Sequence, residues 1–357
     1  MFASEKNKVS VASVNEALSK VMDPDLNRDI VSLGMVSNIE INKNDISFTL
    51  TLTTPACPLK EKIEADCKDA LKAIGDVGEI TINTTANVSN APKINDKEPI
   101  VGIKHIIAVT SGKGGVGKTT TAINIACALA HLGAKVGVLD SDITGPNSPL
   151  MLGVDDYKPT ANDNKIIPAQ NCGVKCISMA FFVAKDTPVI WRGPMLDKAI
   201  RQFLRDVEWG ELDYLIIDMP PGTGDAQLTM VQATQLSGGV IVTTPQEVAL
   251  LDGRKGLSMF KQMNVPILGF IENMSYFTPP GSTERYEIFG HGGGRKLAQE
   301  EGVPFLGEIP IATELRQACD DGKPLVYGDP DHMVSKKFIE IAKNLAAQIS
   351  IYSLSQN

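Results

Sequence analysis

The stretch that decides the fold is SGKGGVGKTT, residues 111–120. It fits the phosphate-loop template, in which Gly112 is followed by four residues and then by Gly117, Lys118 and Thr119. Glycine lets the backbone turn tightly and aim its N–H groups at phosphate oxygens. The lysine places a positive charge on the β- and γ-phosphates, and the threonine hydroxyl ligates Mg²⁺. The stretch therefore predicts a site for a nucleoside triphosphate and Mg²⁺.

The flanking sequence agrees with this interpretation. Apolar residues 106–109 predict a buried parallel strand, and residues 121–132 have apolar side chains at helical spacing. A helix that starts at the loop adds the positive end of its dipole to the anion site. An ordinary turn between a strand and a helix is the alternative, and this arrangement disfavours it.

Two later apolar strands end in acidic residues. Residues 135–142 end in Asp140 and Asp142, and residues 214–218 end in Asp218. Ligands of open α/β sheets bind at the carboxyl ends of the strands. We therefore expect Asp142 to face the nucleotide and Asp218 to bind Mg²⁺ through water, whereas Asp140 is better suited to cap the next turn.

Two further positions complete the predicted nucleotide site. Gly222 follows the second acidic strand in a Pro-Pro-Gly loop and can offer an unhindered backbone N–H to a γ-phosphate. Asn273 ends the apolar stretch 265–273, and its amide can pair with the donor and acceptor positions of adenine.

The strands and helices of residues 105–350 alternate, which predicts a doubly wound parallel sheet of the α/β class, a P-loop NTPase domain. A small α+β domain of order αββαβ is predicted for residues 1–88, and a polar linker for residues 89–104. The elements predicted for the small domain are a helix at 9–21, strands at 36–41 and 45–53, a helix at 60–74 and a strand at 77–84.

Composition excludes several classes of protein. The net charge of −8 and the lack of a Lys/Arg cluster argue against binding of nucleic acid. No apolar run approaches the roughly 20 residues that span a bilayer, so we expect no membrane insertion. The start of the chain lacks the apolar core of a signal peptide. We therefore expect a cytoplasmic protein whose six cysteines are thiols.

Cys57 lies between two prolines at the predicted start of a helix. A helix N-terminus lowers a thiol pKa and favours the thiolate, which is the form that binds metals. The alternative is a small buried side chain with a structural role.

Cys172 and Cys176 have no further ligands nearby in sequence and are interpreted as structural. His291, before three glycines, is interpreted as part of a flexible turn.

The small domain resembles the PaaD-like domain of iron–sulfur assembly factors. The resemblance covers residues 10–88 and depends on Asp23-Pro24-Asp25, on LGMV (33–36) and on TTPACPL (53–59). The matching cysteine is the functional thiol in that family, so the resemblance implies that Cys57 binds an Fe–S cluster.

The rest of the chain resembles the Mrp/ApbC family of P-loop ATPases, which act as iron–sulfur cluster carriers. The motifs are SGKGGVGKTT (111–120), DSDITGPNSP (140–149), WRGPM (191–195), IIDMPPGTGD (216–225), TTPQEVALLD (243–252), IENMSYF (271–277) and IFGHGGG (288–294). The resemblance implies ATP binding and hydrolysis together with transfer of Fe–S clusters to apoproteins and contact with assembly factors.

The loop also resembles the deviant loop KGGVGKT of the ParA/MinD class. There the early lysine, here Lys113, reaches the nucleotide of a partner subunit, which implies a homodimer. The implied catalytic residues are Lys113, Lys118 and Asp142. The predicted nucleotide-binding residues are Gly112, Lys113, Gly114, Gly115, Val116, Gly117, Lys118, Thr119, Thr120, Asp218, Gly222 and Asn273. Thr119 and Asp218 are the predicted Mg²⁺ residues.

The chain departs from the family in one segment. Many members carry a Cys-x-x-Cys pair after the Asn-Met-Ser motif, but residues 274–283 read MSYFTPPGST. Fe–S clusters need ligands, usually thiolates. A cluster at Cys57 would need further ligands, for example Cys67, Cys319 or an exogenous thiol. The alternatives are a MinD/ParA-like switch and a scaffold that binds no stable cluster.

Overall fold

The computed structural model describes residues 9–91, 99–142, 145–163, 165–182, 193–222 and 224–355. Parts of five predicted features lie outside these residues: 1–8 of the small domain, 92–98 of the linker, 143–144 after Asp142, 191–192 of the WRGPM motif and 223 of the loop after Asp218. The chain divides into two compact units. The described residues up to Ser89 form one unit with those from Ser350 onward, and Asn90–Ile349 form the other.

The smaller unit has the predicted αββαβ order with one addition. Its elements are α1 (Val11–Leu18), β1 (Met22–Asp23), β2 (Arg28–Asp29), β3 (Val36–Asn42), β4 (Asp45–Leu52), α2 (Lys60–Lys72) and β5 (Ile80–Ala86). The pair β1–β2 is the addition, and it is not predicted from the sequence. Each of these strands has only two residues, which is too short to show a periodic pattern.

Strand β4 is the centre of the small sheet. It pairs with β3 in the antiparallel and with β5 in the parallel direction. Every second side chain of β4 is buried, as the alternation of apolar residues and threonines predicts: Ile46, Phe48, Leu50 and Leu52. These side chains form one core with apolar residues of α1 and α2, such as Leu18 and Ile63.

The larger unit alternates strands and helices. Its elements are β6 (Ile103–Thr110), α3 (Lys118–His131), β7 (Val136–Asp140), α4 (Ser148–Met151), β8 (Ala161–Asn162), β9 (Lys165–Ile166), β10 (Ala169–Asn171), β11 (Val174–Ser178), α5 (Gly193–Arg205), β12 (Leu212–Asp218), α6 (Asp225–Ala233), β13 (Gly238–Thr243), α7 (Glu247–Gln262), β14 (Ile267–Glu272), α8 (Gly293–Glu301), β15 (Phe305–Glu308), α9 (Thr313–Asp320), α10 (Leu325–Gly328) and α11 (Met333–Ser355). The last residues of α11, from Ser350 onward, belong to the smaller unit.

Eight of these strands form one sheet in the order β10-β11-β7-β12-β6-β13-β14-β15. Every neighbouring pair is parallel except β10 with β11. The predicted doubly wound α/β fold is thus confirmed, with an antiparallel edge strand that the sequence did not reveal. That strand has three residues and leads into a tight turn in which Cys172 (φ 52°) and Gly173 (φ 75°) are left-handed.

The central strands carry the site. Ile107, Ala108 and Val109 of β6 are fully buried, as are Ile216 and Ile217 of β12. Helices cover both faces of a parallel sheet, which explains why these strands are continuous apolar runs. The strands are parallel, so the loops that follow β6, β7, β12, β13 and β14 all leave the same edge of the sheet.

Helix α11 is the longest described helix, with 23 residues. It has buried apolar side chains, such as Phe338 and Leu345, and exposes charged ones, such as Lys336. Its amphipathic pattern is that of a helix packed on a protein core. In the parts of the chain that the structure describes, no helix combines the length and the apolar character needed to cross a bilayer.

Two glycines offer a matched test of this packing. A Cβ at Gly239 of β13 would lie 2.3 Å from the buried Phe260 ring, whereas one at Gly256 of α7 would meet its nearest atom at 3.7 Å. We expect Gly239→Ala to lower the free energy of unfolding by about 1–3 kcal/mol through overpacking. Gly256→Ala should raise it by about 0.5–1 kcal/mol, because alanine favours the helix.

Urea unfolding followed by tryptophan fluorescence measures both changes, since both tryptophans belong to the sequence of the larger unit. Equal stability of the two variants would contradict the packing of β13 against α7.

Candidate functional site

The phosphate loop connects β6 to α3. Gly115 (φ 82°) and Gly117 (φ 79°) are left-handed, and Gly117 is the N-cap of α3. A Cβ at Gly114 or Gly115 would meet no atom within 4 Å, so this part of the loop faces open space. Gly112 has a different reason to lack a side chain, because a Cβ there would lie 2.1 Å from the backbone of Asp252 in α7.

Lys118, Thr119 and Asp218 form a compact group where α3 begins and β12 ends, in which Lys118 and Asp218 are buried and Thr119 is half-buried. The Lys118 ammonium donates to Asp218 Oδ1 at 2.6 Å, and the Thr119 hydroxyl donates to Asp218 Oδ2 at 2.7 Å. Residues that are 99 and 100 positions apart in the chain are thus brought into direct contact. The lysine and Mg²⁺ ligands that the motifs predict share one site.

Burial shapes the electrostatics of this group. Burial raises the pKa of Asp218, and the Lys118 ammonium and the hydrogen bonds from Lys118 and Thr119 oppose the shift. Burial, together with the Asp218 carboxylate, raises the pKa of Asp140 to about 7. Two buried carboxylates near one lysine leave negative charge in excess, which favours a cation beside them.

The two acidic residues after β7 have distinct partners. Asp140 accepts hydrogen bonds from the Ser148 N–H at 3.0 Å and from the Asp142 N–H at 3.1 Å. It therefore fixes the start of α4, in agreement with the predicted capping role. Asp142 accepts from the Gly145 N–H at 3.2 Å and is 7% exposed at the same sheet edge as Asp218.

Gly222 and Asn273 both contact the phosphate loop. The Gly222 N–H donates to the Ser111 carbonyl at 3.0 Å, and the Asn273 amide donates to the Val116 carbonyl at 2.8 Å. The sequence predicts that the Gly222 N–H contacts a γ-phosphate and that the Asn273 amide contacts adenine. In this structure both donors instead bind backbone carbonyls of the phosphate loop.

Lys113 and Thr120 lie at the two ends of the loop. The Ser111 hydroxyl donates to the Lys113 carbonyl at 2.9 Å, and the Lys113 side chain is half-buried. The Thr120 hydroxyl lies 4.0 Å from Met151 Sδ and from Cys319 Sγ. Thr120 thus faces the helices behind the loop rather than the Asp218 group.

Cys57 lies just before α2 in the smaller unit, and the structure corrects its predicted pKa. Burial raises the pKa of the thiol, the N–H groups of Leu59 and Lys60 lower it, and the Asp23 and Asp25 carboxylates raise it further. The stabilising helix N-terminus is therefore present, but burial outweighs it. The structure also brings Asp23-Pro24-Asp25 close to Cys57, which joins two segments that carry the sequence resemblance.

The other two cysteines considered as further cluster ligands are Cys67 and Cys319. Cys67 belongs to the core of the smaller unit, where burial raises its pKa to about 12. Cys319 is in the larger unit, beside Thr120. Among the described residues, no group of three or more His, Cys, Asp or Glu ligand atoms within 4.8 Å of one another includes a cysteine. All six cysteines are free thiols.

Comparisons with known proteins agree with this geometry. Residues 102–346 match the family described as NUBPL iron-transfer P-loop NTPase, which is more than half of the chain. The chain belongs to the NUBPL iron-transfer P-loop NTPase family. Residues 12–82 match a second family, described as iron–sulfur cluster assembly protein. The resemblances drawn from the sequence are thereby confirmed for both parts of the chain.

Two similar proteins match nearly the whole chain, and a third matches about three quarters of it. The chain is 48% identical over 347 residues to the iron–sulfur cluster carrier protein of Synechocystis, covering 96% of this chain and 98% of the relative. It is 47% identical to the carrier protein of Deinococcus radiodurans, with coverage of 95% and 96%. It is 49% identical to the iron–sulfur cluster transfer protein NUBPL of Dictyostelium discoideum, with coverage of 73% and 81%.

Solved structures support the NTPase fold. A nucleotide-binding protein from Archaeoglobus fulgidus in complex with ADP has 41% identity and a TM-score of 0.56, covering 62% of this chain and 88% of that one. The cell division ATPase MinD of Pyrococcus furiosus has 28% identity and a TM-score of 0.51, covering 67% and 97%.

Sequence reasoning missed one residue of this NTPase unit that lies at the same sheet edge. Glu272 ends β14, directly before Asn273, and accepts hydrogen bonds from the N–H groups of Gly292 (2.9 Å) and Gly294 (2.6 Å). The turn after His291 was predicted to be flexible, but it is held by this carboxylate. The signal that identified Asp142 and Asp218, an acidic residue at the end of an apolar strand, also applies to Glu272.

The corrected pKa of Cys57 generates a prediction. Because the folded thiol has a raised pKa, its thiolate fraction at neutral pH is below that of a free cysteine and increases as pH rises. Iodoacetamide should therefore alkylate Cys57 more slowly than free cysteine at pH 7, with a rate that rises with pH. Asp25→Asn should speed the reaction, because it removes a carboxylate that opposes the thiolate.

Mass spectrometry of the Cys57 peptide measures the rate, and the buried Cys67 provides an internal control that should stay unlabelled. Labelling of Cys57 faster than free cysteine at pH 7 would show that the helix N-terminus prevails over burial.

Proposed function

We propose that this protein binds and hydrolyses ATP with Mg²⁺ and carries iron–sulfur clusters to apoproteins. The observation that carries the proposal is the near-full-length likeness to proteins named iron–sulfur cluster carriers, which extends over both units of the chain. The geometry of each unit suits its share of this function.

The Lys118, Thr119 and Asp218 group suits ATP and Mg²⁺. A hydroxyl and a carboxylate oxygen 2.7 Å apart are the oxygen donors that Mg²⁺ prefers, and the excess of negative charge favours a cation. Lys118 would exchange part of its contact with Asp218 for the β- and γ-phosphates. The N–H groups of the loop and the N-terminus of α3 would bind the remaining phosphate oxygens.

Asp142 is proposed to orient the water that attacks the γ-phosphate. It lies at the same sheet edge as Asp218 and has the carboxylate that can accept a hydrogen bond from that water. The Gly222 N–H would move from the Ser111 carbonyl to the γ-phosphate, so the loop after β12 would respond to hydrolysis. Asn273 would recognise adenine.

Lys113 is proposed to act across a homodimer. Its side chain is half-buried at the mouth of the loop and makes no hydrogen bond or ion pair with the residues that the structure describes. A cation supplied by the partner subunit would stabilise charge on the transferred phosphoryl group. Each nucleotide would then contact residues of both subunits.

A test of Lys113 compares single and mixed variants. We expect Lys113→Ala to keep ATP binding while turnover falls about a thousandfold or more, as for other cations supplied in trans. Lys135→Ala, a change of an exposed lysine paired with Glu211, is the matched control and should keep turnover. Nucleotide fluorescence and phosphate release give the two readouts.

Mixing two inactive variants shows whether Lys113 acts on the nucleotide of its own subunit or on that of the partner subunit. In a dimer of Lys113→Ala with Asp142→Ala, one site combines an intact Asp142 with an intact Lys113 from the partner. An equal mixture should therefore recover about a quarter of wild-type turnover, since half of the dimers are mixed and each has one complete site. No recovery would mean that Lys113 acts on the nucleotide of its own subunit.

Cys57 is the proposed cluster ligand, with the cluster as cargo. It is half-buried at the start of α2, and the N–H groups of Leu59 and Lys60 favour its thiolate once a metal replaces the proton. Two subunits would supply two Cys57 thiolates, so an exogenous thiol or the receiving apoprotein would supply the rest. A ligand set of this kind suits release of the cluster.

Anaerobic reconstitution with iron and sulfide tests the carrier function. We expect the wild-type protein to gain iron, sulfide and visible absorption, and Cys57→Ala to lose all three. Cys172→Ala changes a thiol in the β10–β11 turn and is the matched control, which should keep the cluster. Cys67→Ala and Cys319→Ala test whether either thiol is a further ligand.

The alternatives predict other outcomes of the same experiment. A wild-type protein that hydrolyses ATP but gains no iron would support a MinD/ParA-like switch or a scaffold without a stable cluster. We also propose that the protein works in the cytoplasm, where its six thiols would stay reduced, and that its partners are apoproteins and assembly factors rather than nucleic acid or membrane.

A further inference from the structure

Three side chains of the larger unit that the proposed function does not use converge at one edge of the sheet. They are Glu272 at the end of β14, Glu308 at the end of β15 and His291 in the turn before α8. Each offers one ligand atom, and these atoms all lie within 4.8 Å of one another. Two donors that bind one ion at about 2.0–2.2 Å lie at most about 4.4 Å apart, so small side-chain movements would bring the three donors onto a single ion.

The group is held in place by the surrounding structure. Glu272 accepts hydrogen bonds from the N–H groups of Gly292 and Gly294 and from the Ser275 hydroxyl. A carboxylate has about four acceptor positions, so Glu272 can cap α8 and still bind an ion. The His291 Nε2 atom lies 3.2 Å from Glu308 Oε2, which fixes the ring relative to the second carboxylate.

The charges at this edge of the sheet favour the binding of a cation. Within the described ranges, no lysine or arginine pairs with Glu272 or Glu308, and His291 is the only ion-pair partner of Glu308. Arg285 and Arg295 instead lie over aromatic rings, at 4.1 and 4.3 Å. A third carboxylate, Glu287, lies 3.8 Å from His291 Nδ1. Negative charge therefore exceeds positive charge around the His291 imidazole.

We propose that Glu272, His291 and Glu308 bind a divalent first-row transition metal ion. One imidazole nitrogen and two carboxylate oxygens suit zinc or ferrous iron and their neighbours, whereas Mg²⁺ and Ca²⁺ prefer oxygen alone. The side chain of Glu272 is buried, but those of His291 and Glu308 are 35% and 17% exposed. The buried Glu272 would thus hold the ion on its protein side, and an additional ligand could reach the ion from solvent.

This site is separate from the proposed cluster ligand. Cys57 belongs to the smaller unit and offers sulfur, whereas the three residues here offer only nitrogen and oxygen. Failure of Cys57 to bind a cluster would therefore leave this inference unaffected, and the reverse also holds.

Cobalt(II) is the probe that separates the two kinds of ligand, because thiolate ligation adds a near-ultraviolet charge-transfer band that nitrogen and oxygen ligands lack. The full chain, reduced and freed of metal and nucleotide, is titrated with Co²⁺ and followed by absorption and calorimetry. We expect one Co²⁺ per chain with visible bands and no thiolate band.

The variants are His291→Ala and Glu308→Gln, which leave the Glu272 cap of α8 intact. Each should weaken Co²⁺ binding at least about tenfold. His131→Ala removes an exposed imidazole at the end of α3 and is the matched control, which should bind as the wild type does. Circular dichroism checks that all variants are folded.

Three results would overturn the proposal. The wild-type protein could bind no Co²⁺, or folded His291→Ala could bind it with unchanged affinity. The bound Co²⁺ could also show a thiolate band that disappears in Cys57→Ser, which would assign the metal to the smaller unit.

Discussion

The larger unit depends on the buried ion pair between Lys118 and Asp218. An ammonium and a carboxylate excluded from water are stable only together, and removal of one partner typically costs about 3–5 kcal/mol. The pair joins the start of α3 to the end of β12, and Thr119 adds a second bond to the same carboxylate. It therefore fixes the phosphate loop against the sheet. Phosphate and a metal ion can replace this pairing because each offers the opposite charge to one partner.

The same constraint explains how far the sequence predicts the structure. The loop, its helix and Asp218 are contiguous patterns on buried parallel elements, so local rules identify them. The edge strand β10 has three residues and no periodicity, which leaves local rules without a signal. Glu272, His291 and Glu308 come from three separate segments. Only the sheet topology brings them together, although each follows or precedes a recognisable element.

Cys57 shows why position along a helix does not settle a pKa. The start of α2 supplies two N–H groups that stabilise the thiolate, as the sequence predicts. A helix terminus stabilises a charge by about 0.3–1 kcal/mol at exposed sites, which changes a pKa by less than one unit. Desolvation of a fully buried group shifts its pKa by as much as about 3–5 units. Burial is a property of tertiary packing, so it cannot be read from the prolines around Cys57. A buried thiol of this kind is protected until a metal displaces its proton.

Glu272, the last residue of β14, and Asn273, the first residue after it, connect the nucleotide site with the proposed metal site. Asn273 donates its amide to the Val116 carbonyl in the phosphate loop, and its neighbour Glu272 holds the turn that carries His291. Glu272 and Asn273 are adjacent in the chain, so one short segment serves both sites. A shift of the loop that moves Asn273 therefore acts on the backbone that positions Glu272. The nucleotide site and the proposed metal site thus depend on adjacent residues of one segment.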